Sequence, residues 1–170
     1  KHFEEGEEPP PMVLKTMKKA LLLSTCQVEH VKAEKQLMEM LDCPFISNYL
    51  SSFQDERRIF LLLEYVHGGE LYNRLRREGR LPVDHCKFYA AQLVLALHYL
   101  HELKIVYRDI KPENIMIDRM GNVKLIDFGF AKMLKQNALT YTLVGTPEYL
   151  APEIVQSRGH SLPCDFWALG

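Results

Sequence analysis

This chain lacks a long apolar run, a cysteine framework and a strong net charge, and each absence removes a class of function. The most apolar stretch, Ala90 to Leu100, is interrupted by Gln92 and His98. It falls short of the about 20 residues that a bilayer crossing takes, so a buried helix is expected there and no membrane span. Cys26, Cys43, Cys86 and Cys164 are widely spaced and form no CxxC pair. They suit a reducing compartment better than a disulfide framework, and a cytoplasmic location is expected. A formal net charge of -1 with 47% hydrophobic residues gives no bulk field for a nucleic acid or a membrane surface, so no nucleic-acid partner is expected. Internal repeats are missing too, and the one biased tract is the acidic, proline-rich segment Phe3 to Pro11.

What the chain has is a dense group of phosphate-handling residue types. Tyr107-Arg108-Asp109-Ile110-Lys111-Pro112-Glu113-Asn114 is followed by Asp127-Phe128-Gly129. Moving a γ-phosphoryl group asks for charge neutralisation, metal holding and alignment of the attacking hydroxyl rather than covalent chemistry. Asp109 suits the base, since an acceptor hydroxyl must lose its proton to a carboxylate within hydrogen-bond reach. Lys111 can bring a positive charge to the transferring group. Asn114 and Asp127 offer the amide and carboxylate oxygens that Mg²⁺ prefers. Alternating Ile115 and Ile117, then Val123 and Leu125, predict strands over Asn114 to Asp118 and Val123 to Asp127, joined by a turn at Gly121-Asn122.

These motifs, with Phe88-Tyr89-Ala90-Ala91, Asp127-Phe128-Gly129-Phe130-Ala131-Lys132 and Gly145-Thr146-Pro147-Glu148-Tyr149-Leu150-Ala151-Pro152-Glu153, resemble the serine/threonine protein kinases of the group that contains the cAMP- and cGMP-dependent kinases. Tyr107, where most kinases carry histidine, points the same way. The quoted stretches fit both branches, with the length of the activation segment, Asp127 to Glu153, closer to the cGMP-dependent one. The resemblance implies an α+β, bilobal fold: a small β-rich lobe with one main helix over 1–66 and a mostly helical large lobe over 67–170. Both lobes are expected to be partial, because a kinase domain takes about 250 residues. Lys1-His2 is expected to end a second strand and Phe3 to Pro11 to form a hairpin loop, leaving the first strand and the Gly-rich phosphate loop missing; Asp165 to Gly170 is expected to start the large lobe's central helix.

In the small lobe the pattern predicts a strand at Met12 to Met17 and a helix at Val28 to Leu41, with Val31, Met38 and Leu41 on one face and Glu34 among them. An acid on an apolar face needs a partner, and Lys15 is the natural one; the bland alternative is a solvated surface pair. The resemblance implies that this pair positions the phosphates of ATP. Val13-Leu14-Lys15 departs from the usual Val-Ala-Ile-Lys but keeps a lysine after an apolar pair. Arg58 to Val66 is predicted as a strand running into a hinge-like His67-Gly68-Gly69. By resemblance Leu63 is the gatekeeper, the backbone of Glu64 and Val66 meets the adenine edge, Met116 packs beneath the ring, and Glu70 reaches the ribose or a basic substrate residue. Met38, Tyr49, Tyr107 and Phe128 are candidates for an apolar stack between the lobes.

Thr142 aligns with the family's activating phosphosite. Phosphorylation would add about -1.5 to -2 charges, which Arg108, Lys132 and His30 could clamp. Thr146 resembles the residue that bridges Asp109 and Lys111. Glu70, Glu113 and Glu148 resemble positions that read arginines in a substrate, against the bland reading of three exposed acids. The resemblance therefore implies ATP and Mg²⁺ as cofactors, protein substrates with basic residues, and a cyclic-nucleotide-binding regulatory subunit or domain as partner. The competing class is a pseudokinase or regulatory binding module without catalysis, against which the joint presence of Lys15, Glu34, Asp109, Asn114 and Asp127 speaks.

Overall fold

The computed structural model describes residues 10–170; the strand end expected at Lys1-His2 and most of the loop expected at 3–11 lie outside the described residues. Strand β1 (Met12–Lys18) leads into a short helix α1 (Lys19–Ser24) and then α2 (Val28–Met40). Strands β2 (Tyr49–Gln54) and β3 (Arg58–Glu64) complete an antiparallel sheet in the order β1-β3-β2, with Lys15 opposite Leu61. The central strand carries the fully buried Leu61. On α2 the buried residues are Glu34, Leu37 and Met38, the i, i+3, i+4 spacing of one helix face. Val31 and Leu41, expected on that face, are only half-buried, and Leu37 takes the inward position.

The second lobe is mainly helical. Helices α3 (Leu71–Glu78) and α4 (Val83–Glu102) come first. The inward face of α4 is Tyr89, Gln92, Leu93, Ala96, Leu97 and Leu100, while His98 is exposed, so one of the two polar interruptions of the apolar run faces water. Gln92 points inward for a reason: its amide nitrogen donates to Asn122 Oδ1 at 2.9 Å and its oxygen accepts the Val123 N–H at 2.7 Å. Those bonds fasten α4 to the start of a strand.

Short strands follow. β4 (Ile105–Val106) pairs with β7 (Lys132–Met133), and β5 (Ile115–Ile117) with β6 (Val123–Leu125). The β5 and β6 strands are shorter than the alternation predicts. Asn114 is drawn into a 3-10 turn over Pro112–Asn114, and Asp127 adopts φ +57°, which ends extended structure. Helices α5 (Pro152–Val155) and α6 (Pro163–Leu169) close the chain. The hinge expected at His67-Gly68-Gly69 docks on β5, with Gly68 N–H donating to Ile117 O at 2.7 Å. A Cβ at Gly68 would stand 2.4 Å from that same oxygen, so only glycine permits the approach.

One core joins the two lobes: Leu37 and Met38 of α2 and Leu61 of β3 pack in the same cluster as Leu97, Leu100, Tyr107, Leu125 and Phe128. A smaller cluster holds Val106, Leu134, Ala151, Ile154 and Cys164. Burial pushes the Cys164 thiol up to about 12, so it acts there as an inert apolar group. Among the described residues no helix is long and apolar enough to cross a membrane. Substituting Gln92→Leu should leave the Val123 N–H and Asn122 Oδ1 without these partners and destabilise the fold by about 1–3 kcal/mol; urea denaturation checks this, and an unchanged midpoint would contradict it.

Candidate active site

The loop after β4 is held in an unfavourable backbone conformation. Arg108 has φ +70°, a region that a side chain with a Cβ rarely adopts. Asp165, 1% exposed, supplies the restraint. Its carboxylate accepts the Tyr107 N–H at 3.0 Å, the Arg108 N–H at 2.8 Å and His101 Nε2 at 2.8 Å. Tyr107 is buried edge-on against Phe128 with ring centroids 5.3 Å apart, and its hydroxyl donates to the Ile126 carbonyl. Burial, together with the charges of Asp127, Asp109 and Asp165, holds that phenol well above its ordinary value. Tyr107, Phe128 and Met38 thus share the inter-lobe core, with Tyr49 packed at its margin.

Asp109 is buried just beyond this anchor. Its Oδ1 accepts from Thr146 Oγ1 at 2.8 Å, its Oδ2 from Asn114 Nδ2 at 2.6 Å, and Lys111 Nζ stands 3.0 Å from Oδ2. Lys111 also donates to Thr146 Oγ1 at 2.8 Å, so Thr146 does bridge Asp109 and Lys111. The 3-10 turn over Pro112–Asn114 brings Asn114 back to its own loop. Gly145, φ +113°, lies against Arg108, where a Cβ would stand 2.7 Å from the Arg108 carbonyl. The activation segment is thereby seated on the loop.

Across the cleft, Lys15 Nζ lies 2.6 Å from Glu34 Oε1 and 3.2 Å from Asp127 Oδ1. Glu34 is 6% exposed, so the pair is not a solvated surface contact. Partial burial pulls the Lys15 ammonium down, but Glu34 and Asp127 outweigh it and hold the group above the ordinary lysine value. A cleft of about 360 Å³ opens here, lined by Val13, Lys15, Glu34, Met38, Leu63, Glu64, Val66, Met116, Asp127 and Phe128 among others. That is the size of a small-ligand site. Glu70 does not line it; it precedes α3 and bridges backbone to backbone with Met116.

The donor set at Asn114 and Asp127 fits a hard cation. The Ile126 N–H donates to Asn114 O at 3.0 Å, which brings the residue before Asp127 against Asn114. Both contacts of the Asn114 side chain run through its nitrogen, to Asp109 O and Oδ2, and no described group donates to its oxygen. Asp127 engages Lys15 and the Gly129 N–H through Oδ1 alone. An amide oxygen and a carboxylate oxygen remain, which is Mg²⁺ chemistry.

Other expected residues are placed as follows. Thr142 is exposed. Arg108 donates from Nε to Phe130 O at 2.7 Å and keeps a buried Nη1 that finds no partner among the described residues. Lys132 donates to the buried Thr140 Oγ1 at 3.0 Å rather than to Thr142. His30 is exposed on α2. Glu113 keeps a buried Oε2 without a partner, and Glu148 is exposed. Burial, then the Glu113 and Glu148 carboxylates, push the Tyr149 phenol up.

Sequence reasoning passed over Asp165 and His101. The signal was present for Asp165: an acid in Cys164-Asp165-Phe166-Trp167 needs a buried partner by the same logic that paired Glu34. The Glu64 carboxylate and Lys124 were passed over as well, and no motif marks their contact.

Comparison with known proteins adds the following. The family model described as "Protein kinase domain" matches residues 5–170. The chain is 50% identical over 157 residues to the cAMP-dependent protein kinase catalytic subunit of Dictyostelium discoideum, covering 92% of this chain and 24% of that protein. It is 45% identical to cAMP-dependent protein kinase type 3 of Saccharomyces cerevisiae, covering 92% and 39%. It is 42% identical to a cGMP-dependent protein kinase, isozyme 2 forms cD5/T2, of Drosophila melanogaster, covering 97% and 18%. The chain therefore spans well under half the length of each of these relatives.

Beneath the activation segment, His160 is 2% exposed with Nε2 unpartnered. Burial, reinforced by Arg108 and Lys132 and opposed by Glu153 and Asp165, holds its imidazole below the ordinary value of 6.5. A folded chain that binds this proton less readily than the unfolded one has the benefit in full above pH 6.5, and loses it as pH falls through the lower folded value. Thermal unfolding should therefore shift down on acidification from pH about 7 to about 5, and His160→Phe should remove part of that dependence. Equal pH dependence in both proteins would contradict this assignment.

Proposed function

The chain belongs to the protein kinase family, and from that premise we propose that the protein carrying it transfers the γ-phosphoryl group of ATP to serine or threonine hydroxyls of protein substrates. The observation that most supports this is the buried Asp109 carboxylate with Thr146, Asn114 and Lys111 on its two oxygens. A carboxylate fixed by three donors cannot swing, so it offers one direction for a hydroxyl proton. On this reading Asp109 accepts the proton as the substrate oxygen attacks phosphorus. Lys111, already beside it, offsets charge on the transferring group.

Lys15, oriented by Glu34, contacts the phosphates of ATP. The cleft edge at Glu64 and Val66 meets the adenine through main-chain groups, with Leu63 as gatekeeper and Met116 below the ring. Asn114 and Asp127 would hold Mg²⁺, which supplies neutralisation of phosphate charge when bound. Thr142, exposed and open to modification, is the phosphosite; the unpartnered Nη1 of Arg108 supports a phosphate contact there, with Lys132 and His30 nearby in role. Glu113, whose Oε2 has no partner, together with Glu70 and Glu148, favours basic residues in the substrate. The cyclic-nucleotide-dependent kinases named above suggest a cyclic-nucleotide-binding regulatory subunit or domain as partner, and the unpaired cysteines fit a cytoplasmic setting.

Radiolabelled ATP with a basic serine peptide tests the assignment on the protein that carries this chain. Asp109→Asn should lower label transfer by about 10²- to 10⁴-fold; equal transfer by both proteins would overturn the reading. Thr142→Ala should lower turnover sharply, and unchanged turnover would remove Thr142 from it.

A further inference from the structure

Glu64 ends β3 at the rim of the cleft, and its side chain is committed elsewhere. Lys124 Nζ lies 2.8 Å from Glu64 Oε1 and 2.9 Å from Oε2, and Oε2 also accepts the Asn48 N–H at 3.0 Å. The main chain repeats the link, since the Glu64 N–H donates to Asn48 O at 2.9 Å. Side-chain exposure is 12% for Lys124 and 28% for Glu64, against 62% and 80% in the surface pair Lys32 and Glu29. Screening by water is correspondingly weaker, and the contact is worth more than a surface pair.

Three segments remote in sequence meet on this carboxylate: the loop after α2, the connector end of β3, and β6. Lys124 stands opposite Met116 in the β5–β6 pairing. Met116 and Glu64 line the cleft, and Lys124 does not. With both carboxylate oxygens engaged, Glu64 has no free rotamer, and its charge is neutralised beside a site that would receive a polyanion.

We propose that the Glu64–Lys124 ion pair is a clasp that fixes the nucleotide-facing edge of the cleft against its floor strands, with Lys124 acting as a positioning residue for nucleotide affinity. Losing the lysine frees the connector to move and leaves an uncompensated negative charge at the cleft rim. Both effects weaken nucleotide binding without touching Asp109, Asn114 or Asp127. The inference rests on the reading of the cleft as an ATP site.

The test is steady-state kinetics and fluorescent-nucleotide binding on the protein carrying this chain, with Lys124→Met, Glu64→Gln and the double variant, and with thermal unfolding to establish that each is folded. Glu64→Gln keeps an acceptor for the Asn48 N–H while removing the ion pair, so it remains informative if Lys124→Met folds poorly. Lys124→Met should raise KM for ATP about 5- to 10-fold with kcat little changed, Glu64→Gln should raise it less because it frees the connector without leaving a negative charge at the rim, and the double variant should be no worse than Lys124→Met. A merely structural defect would instead lower kcat through a smaller active fraction and leave KM alone. Unchanged KM in both singles, or multiplicative losses in the double variant, would overturn the clasp while the wild type still binds and uses ATP. A wild type that binds no nucleotide would overturn both readings.

Discussion

Asp165 is an ionisable side chain almost sealed from water, and so much of the molecule is arranged to make that tenable. A bare buried carboxylate would cost several kcal/mol; here two backbone N–H groups and an imidazole nitrogen satisfy it. In return it holds Tyr107 and Arg108 through a left-handed turn that the chain would otherwise leave. Everything downstream inherits that turn, because Asp109 follows it directly and Gly145 seats the activation segment on the Arg108 carbonyl. A remote helix thus fixes the direction of the loop that carries Asp109.

The same constraint recurs at three other acids in and around the cleft. Glu34 is buried and answered by Lys15, Asp109 by Lys111, Thr146 and Asn114, and Glu64 by Lys124. The Glu64–Lys124 contact and the Lys15–Asp127 contact join elements of the two lobes, so the lobes are coupled by polar groups at the rim as well as by the apolar cluster of Met38, Tyr107 and Phe128. Apolar burial gives cohesion without direction. The charged contacts give direction, since each fixes two side chains in one geometry.

Much of the fold was legible because periodicity reports burial. The spacing in Val28 to Leu41 and the apolar run Ala90 to Leu100 marked helices, alternation marked β5 and β6, and the apolar run Arg58 to Val66 marked β3. Boundaries were less legible. Asn114 belongs by pattern to a strand, yet its side chain bonds to Asp109 and curls the backbone into a turn, a local polar contact overriding alternation. Helix α1 and strand β2 carry Leu21, Leu23, Leu50 and Phe53 exposed, so no inward stripe announced them. Gln92 interrupted an apolar run and proved to be its most specific contact.

Sequence alone determined the list of reactive groups and their order along the chain, because the loop at Tyr107 to Asn114, the Asp127-Phe128-Gly129 motif and the Gly145 to Glu153 stretch are local and short. It also determined that Glu34 needed a cation, since an acid on an apolar helix face has few alternatives. Beyond Lys15 and Glu34, only tertiary structure decided the partners of the buried acids. That Glu64 meets Lys124 and that Asp165 holds the Arg108 turn both depend on residues far apart in the chain, and no local pattern encodes a distance that only packing closes.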